Sequence, residues 1–152
     1  VMSANRQRMR TGYRTSLTKR VRNRIMRVWI RIGLPPQKYH LLTVKGRRSG
    51  ILHSTPVSIM VLNGQRWLVA AYGPRDWVKN ARAAGQVTLR RGSRIEVLAI
   101  QEEQDPTQCA PILKLYLNEQ PITGHFFDAV PTSPLEAFAS EAHRHPVFRI
   151  LE

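Results

Sequence analysis

Cysteine is almost missing from this chain: Cys109 is the only one in 152 residues. One thiol forms no intrachain disulfide and no cysteine-based zinc site. That points to a reducing compartment, most simply the cytoplasm. Acidic residues are missing from the whole first half, where the first is Asp76. Residues 1–75 carry sixteen Lys and Arg and no Asp or Glu, and residues 76–152 carry eight basic and ten acidic residues. The halves therefore stand at +16 and −2, giving the overall +14. Such asymmetry calls for an anionic partner: nucleic acid, anionic lipid or a polyanionic small molecule. Long apolar runs are missing too. Nothing approaches the roughly 20 residues of a membrane span, and residues 1–15 hold no apolar segment of the signal-peptide kind. His40, His53, His125, His143 and His145 are scattered, without HExxH spacing, and His143 and His145 fall in a loop near the end. No metal site is expected, and no Ser-His-Asp arrangement can be placed. Helix-turn-helix, zinc-finger and RNA-binding aromatic strand motifs are also missing, so no nucleic-acid partner is expected.

What is present fits one domain of ordinary size. Residues 1–15 read as a mobile basic arm. In residues 16–34 (SLTKRVRNRIMRVWIRIGL), Leu17, Val21, Ile25, Val28, Trp29 and Ile32 recur at helical spacing among Lys and Arg. That predicts a cationic amphipathic helix, with Gly33 and Pro35 ending it. A Trp among aliphatics opposite an arginine-rich face suits an anionic membrane surface, reached through residues 16–33. A helix simply docked on the domain fits the same pattern.

Residues 35–152 read as a β-rich domain. Strands are expected at about 39–46, 51–62, 65–72, 86–91, 94–102 and 147–151. Asn63-Gly64 and Arg91-Gly92-Ser93 supply hairpin turns. A short helix is expected from Asp76, as its cap, to Gly85. Another is expected over 106–120, kinked or restarted at Pro111, and a last one at 134–142. Residues 119–134 read as irregular. Hairpins joined through short helices, with a late returning strand, predict a small antiparallel barrel in a mainly β, α+β domain.

The stretch between the first two strands stands out. Lys45, Gly46, Arg47, Arg48, Ser49 and Gly50 put three cations and two glycines into a turn. Glycines let backbone N–H groups turn toward an anion, and guanidinium forks match phosphate or carboxylate. A solvated hairpin loop with solubilising cations would look the same. After it, Ser54, Thr55 and Pro56 interrupt a strand, which predicts an edge or a bulge. At Tyr72-Gly73 the chain turns into a helix carrying Trp77, Lys79 and Asn80, with Trp77 alone reading as a core anchor.

LLTVKGRRSGILHSTPV, then AYGPRDWVKNARAAGQVTLRRG, then HPVFRI resembles the deazaflavin-dependent nitroreductase and quinone-reductase family of actinobacteria, mycobacteria among them, from about residue 15 onward. The resemblance implies a split β-barrel of the FMN-binding-like kind. It also implies coenzyme F420, an 8-hydroxy-5-deazaflavin with a phospholactyl oligoglutamate tail, passing a hydride to quinones, nitroaromatics or other lipophilic acceptors. By that match Lys45, Arg47, Arg48, Ser49 and Gly50, with Ser54, Thr55 and Pro56, line the tail and ring. Tyr72, Gly73, Trp77, Lys79 and Asn80 close around the phosphate and deazaflavin. Tyr116, Phe126 and Phe127 are the aromatics near the acceptor wall. No nucleophile is required and no catalytic side chain is assigned. A non-catalytic fatty-acid or lipid binder on the same barrel, or a relative using FMN, are the alternatives. A monomer or homodimer is expected, cytoplasmic or peripheral on the inner face of the plasma membrane.

Overall fold

The computed structural model describes residues 39–152. The expected arm (1–15), amphipathic helix (16–34) and residues 35–38 lie outside the described residues. Six strands form a closed antiparallel barrel: β1 (Tyr39–Lys45), β2 (Leu52–Leu62), β3 (Gln65–Val69), β4 (Gln86–Arg91), β5 (Arg94–Glu102) and β6 (Val147–Leu151), in the order β1-β2-β3-β6-β5-β4. Three helices are inserted: α1 (Asp76–Ala84), α2 (Pro106–Glu119) and α3 (Leu135–Glu141).

Alternation along the strands makes two cores. Leu42, Val44, Val57, Ile59, Leu68, Val87, Leu89, Ile100, Phe148 and Ile150 fill the barrel, together with Val78 and Ala81 of α1. The opposite face of β2, β3 and β6, with Met60, Trp67, Val69 and Val147, packs against Ile112, Leu113, Tyr116 and Leu117 of α2 and Phe138 of α3. A one-residue slip would exchange these two sets, so burial on both sides fixes the register.

Turns follow their chemistry. Asn63 (φ 52°) and Gly64 (φ 75°) both take the left-handed conformation that the β2–β3 hairpin needs. Asp105 caps α2, its Oδ1 accepting from the Thr107 N–H at 2.9 Å. Two expectations are corrected. Arg75, not Asp76, is the cap of α1, and Asp76 is already in its first turn. Pro111 does not restart α2, which runs unbroken from Pro106 to Glu119. Pro111 forgoes the ladder bond that another residue's N–H would make there, and the helix continues past it. Part of the segment read as irregular is a 3-10 turn, Pro121–Phe126.

Antiparallel order sends all the long connections to one end of the barrel. The β1–β2 loop, the β3–α1–β4 crossover and the entire 103–146 insertion gather there, and the two tight hairpins close the other end. Near the hairpin end, Arg66 donates to Glu96 Oε2 at 3.1 Å and also pairs with Glu152, and Arg94 donates to Glu96 Oε1 at 3.1 Å. The Arg66 hydrogen bond leads in holding the Glu96 carboxyl below its ordinary 4.5. A carboxyl depressed on folding stabilises the fold above its unfolded value, and that contribution is lost as pH falls through the lower folded value. The stability difference between wild type and Glu96→Gln is therefore expected to shrink as pH is lowered below 4.5, measured by denaturant unfolding.

Candidate functional site

The cationic loop is built on two glycines. Gly46 N–H donates to Ile51 O at 2.8 Å, and Gly50 N–H donates to Gly46 O at 2.9 Å. Gly50 has φ 69°, where a Cβ is strained. A Cβ on Gly46 would lie 2.8 Å from Ser49 Oγ and 3.1 Å from both His53 Nε2 and Ile51 O. Gly46→Ala is therefore expected to lower stability by about 1–3 kcal/mol through overpacking, seen as a fall in Tm.

Arg47 anchors this loop to α1. Its backbone N–H donates to Asn80 Oδ1 at 3.1 Å and its guanidinium Nη1 donates to the same oxygen at 2.8 Å. Asn80 is 4% exposed, on the same helix that plugs the barrel with Val78 and Ala81. The Arg47 side chain stays 26% exposed and reaches Asp76 at 3.9 Å. Lys45 and Arg48 are exposed and make no ion pair among the described residues. Ser49 Oγ accepts from the Ile51 N–H at 3.2 Å, inside the loop. One end of the barrel thus presents three cations on a hydrogen-bonded loop, of which only Arg47 meets a carboxylate among the described residues.

Beside that loop the strand pairing of the closed barrel thins. β2 pairs with β1 from Leu52 to Ser58, but β3 pairs with β2 only over Ile59–Leu62. Residues 52–58 therefore have one strand neighbour among the described residues. Pro56 sits on this local edge, where a missing donor does no harm. Its register opposite Leu41 is continuous with its neighbours', so the expected choice resolves to an edge without a bulge. Ser54 and Thr55 fall on opposite faces of β2. The Ser54 hydroxyl lies 2.8 Å from that of Thr43, and Thr55 shares the parity of the barrel-filling Val57.

After β3 the chain leaves through Tyr72, Gly73 (φ 86°) and Pro74 toward α1. The exposed Tyr72 ring meets Phe126 edge-on at 4.4 Å, and His125 lies 4.1 Å from Phe126. A cavity of about 380 Å³ opens there, lined by Ala71, Tyr72, Gly73, Pro74, Phe126, His143, Arg144 and His145. A second, of about 550 Å³, lies between residues 128–133 and 137–144. Lys45, Arg47 and Arg48 line neither.

The structure brings Lys45, Arg47, Arg48, Ser49, Gly50 and Asn80 together in one clamped loop, and sets Ser54, Thr55 and Pro56 on the adjoining strand. Tyr72 and Gly73, at the β3 exit, line the smaller cavity with Phe126 and residues 143–145 instead of the loop. Trp77 packs on Phe148, with ring centroids 6.1 Å apart, and closes the barrel rather than standing free. Lys79 is an exposed cation of α1. Of the aromatics expected near an acceptor wall, Tyr116 and Phe127 are buried, and burial drives the Tyr116 phenol strongly upward. Phe126 remains half-exposed, and its companion is Tyr72. Sequence reading missed this pair, and missed a buried polar cluster around Glu141 and His145. The only hint of the cluster was a Glu four residues before a His at a helix end.

A closed six-stranded antiparallel barrel with helices inserted between its strands defines a split-barrel domain of the FMN-binding-like kind. Residues 14–112 match the family described as F420H(2)-dependent quinone reductase, and the chain belongs to that family. No curated protein matches it. Among solved structures, one described as an F420-H2 dependent reductase (FDR-A) is similar over 78% of this chain and 97% of its own, at 19% identity and TM-score 0.52. Another, described as a domain-swapped dimer, is similar over 88% and 98%, at 20% identity and TM-score 0.53. A third, a protein of unknown function from Agrobacterium tumefaciens, is similar over 74% and 47%, at 12% identity and TM-score 0.52. At these identities the likeness is one of fold.

Proposed function

We propose that the chain is a deazaflavin-dependent reductase that moves a hydride from reduced coenzyme F420 to a quinone, nitroaromatic or other lipophilic acceptor. The observation that carries this reading is the placing of the clamped cationic loop beside the stretch of β2 that has one strand neighbour among the described residues, at the end of the barrel where every long connection meets. The donor set fits the cofactor: Lys45, Arg47 and Arg48 offer one ammonium and two guanidinium groups to a phosphate and several carboxylates. Ser49 and Gly50 shape that grip, and Lys79 adds charge at the same end. The edge at Ser54, Thr55 and Pro56 would give a planar ring a surface to lie along, and Tyr72 and Gly73 would close on it from the β3 exit. Asn80 and Trp77 act at one remove, by fixing Arg47 and the α1 plug.

When bound, the deazaflavin supplies the hydride chemistry, so the protein's task is position and electrostatics. The Tyr72–Phe126 ledge is suited to stacking a flat, lipophilic acceptor. Arg144 and His143, at the same cavity, would favour negative charge developing on it. Residues 16–33 would hold the enzyme at an anionic membrane surface, near such acceptors, as a cytoplasmic peripheral protein. Among the described residues no helix is long and apolar enough to cross a membrane.

A fluorescence titration tests the reading. Purified protein is expected to quench deazaflavin emission with micromolar or tighter affinity. No quenching, with acyl chains co-purifying by mass spectrometry, would instead establish a lipid binder on this barrel, and a bound yellow chromophore would establish an FMN protein. The membrane part predicts salt-sensitive binding to anionic vesicles, and equal binding to neutral ones would contradict it.

A further inference from the structure

Glu141 and His145 are 3% and 2% exposed; His145 borders the smaller cavity, and the hydride reading gives neither side chain a role. Every polar atom they bring into the interior is matched. His145 Nδ1 lies 2.9 Å from Ala71 O, and Nε2 lies 2.8 Å from Glu141 Oε1. A carbonyl only accepts, so Nδ1 carries the hydrogen and donates to Ala71. Glu141 Oε2 accepts from Ala129 N–H at 2.9 Å and from Asp128 N–H at 3.1 Å. The imidazole stacks on Phe127 at 4.1 Å, 20° from parallel. Arg144 pairs with Asp128 and passes 3.7 Å from Glu141 Oε1.

The node joins three segments: the end of α3, the 127–129 strip of the insertion, and the point where the chain leaves β3. The third matters for function. Ala71 directly precedes Tyr72 and Gly73, which line the smaller cavity and are assigned to the ring site under the reductase reading. Neighbouring backbone contacts hold the same place: Ala70 N–H donates to Pro146 O at 2.8 Å, and a Cβ on Gly73 would sit 3.6 Å from Arg144 O. An ordinary apolar core would stabilise the fold without a buried His–Glu pair. What such a pair adds is direction, because a hydrogen bond aims a particular carbonyl and packing does not.

We propose that His145, oriented by Glu141, is a positioning residue: it fixes the Ala71 carbonyl and so sets where Tyr72 and Gly73 stand against cofactor and acceptor. The functional half of this inference rests on the reductase reading; the structural half does not.

Two substitutions separate the contacts. In His145→Asn the amide nitrogen falls near the place of Nδ1 and can still donate to Ala71 O. In His145→Gln the amide lies one bond further out, near the place of Nε2, facing Glu141 and leaving Ala71 O without a donor. Amide hydrogen exchange over residues 70–76 is the cofactor-free readout. The Gln variant is expected to exchange there roughly tenfold or more faster, with strands β4 and β5 unchanged, and the Asn variant to stay within about threefold of wild type. Deazaflavin affinity and the acceptor KM should follow the same order, with kcat at saturation moving less than either. Should Gln at 145 prevent folding, Glu141→Ala frees the same imidazole and Glu141→Gln can retain it by donating to Nε2. The Ala variant must then exchange faster than the Gln variant. Equal exchange in the two variants compared, or unchanged exchange in both, would overturn the proposal. Exchange that follows the predicted order in a protein that binds no deazaflavin would uphold the positioning of Ala71 and remove only the reductase reading.

Discussion

Replacing both loop guanidinium groups, Arg47→Ala with Arg48→Ala, is expected to weaken deazaflavin binding by at least roughly a hundredfold. The size follows from charge-assisted hydrogen bonds, each of about 1.5–3 kcal/mol, at about 1.4 kcal/mol per tenfold in affinity. The two residues should contribute unequally. Arg48 is exposed and makes no ion pair among the described residues, so Arg48→Ala removes charge and leaves the fold alone. Arg47 is bound to Asn80 through both backbone and side chain. Arg47→Ala keeps the backbone bond but leaves Asn80 Oδ1 with one donor fewer, so the loop loosens as well. The single variants are therefore expected to differ in Tm, Arg47→Ala lying lower, and both to steepen in effect as the glutamate tail lengthens. Isothermal titration with short- and long-tailed cofactor, alongside thermal unfolding, measures both. Undiminished affinity in the double variant would remove the loop from the site.

Phe148→Ala carries the largest stability effect, about 3–5 kcal/mol, the usual range for truncating a buried phenylalanine. Phe148 is 1% exposed in the barrel interior, opposite Leu68, with Trp77 of α1 above it. The cavity would open directly beneath the helix that plugs the barrel and holds Arg47. Deazaflavin affinity is therefore expected to fall together with stability, measured by denaturant unfolding and by titration of the folded fraction. A loss below about 1 kcal/mol would mean that the site collapses onto the gap, and that α1 does not depend on this ring.

The barrel was legible because its signals are local. Alternating apolar residues, Asn63-Gly64 and Gly92 mark strands and turns within a few positions of one another, and a closed sheet is the simplest way to pair them. Closure itself was less legible, since it depends on β1 finding β4 and β3 finding β6 across long separations. The cationic loop was legible for the same local reason, being a dense run of unlike chemistry between two apolar strands. The role of Asn80 was not. A motif reads it as a ligand contact, but its partner lies thirty-three residues earlier, and only the folded chain shows that its oxygen serves Arg47. Pro56 signalled an edge correctly, yet nothing local could say that β3 is too short to cover it. Glu141 and His145 were hidden most deeply. Their partners at Ala71, Asp128 and Ala129 are backbone groups, which leave no trace in side-chain chemistry. Tyr116 shows the opposite failure, an aromatic counted near the acceptor wall that the packing of α2 buries.

The central claim is that a fixed cationic rim grips the anionic tail of a redox cofactor while the neighbouring strand edge receives its ring. Its most direct test is the ratio of two dissociation constants, for coenzyme F420 and for the same deazaflavin ring without phosphate or glutamates. The account predicts tail-bearing cofactor to bind roughly a hundredfold tighter at low salt, by about 2.7 kcal/mol, with the gap narrowing as salt rises. Equal affinity for the two, at every salt concentration, would contradict it.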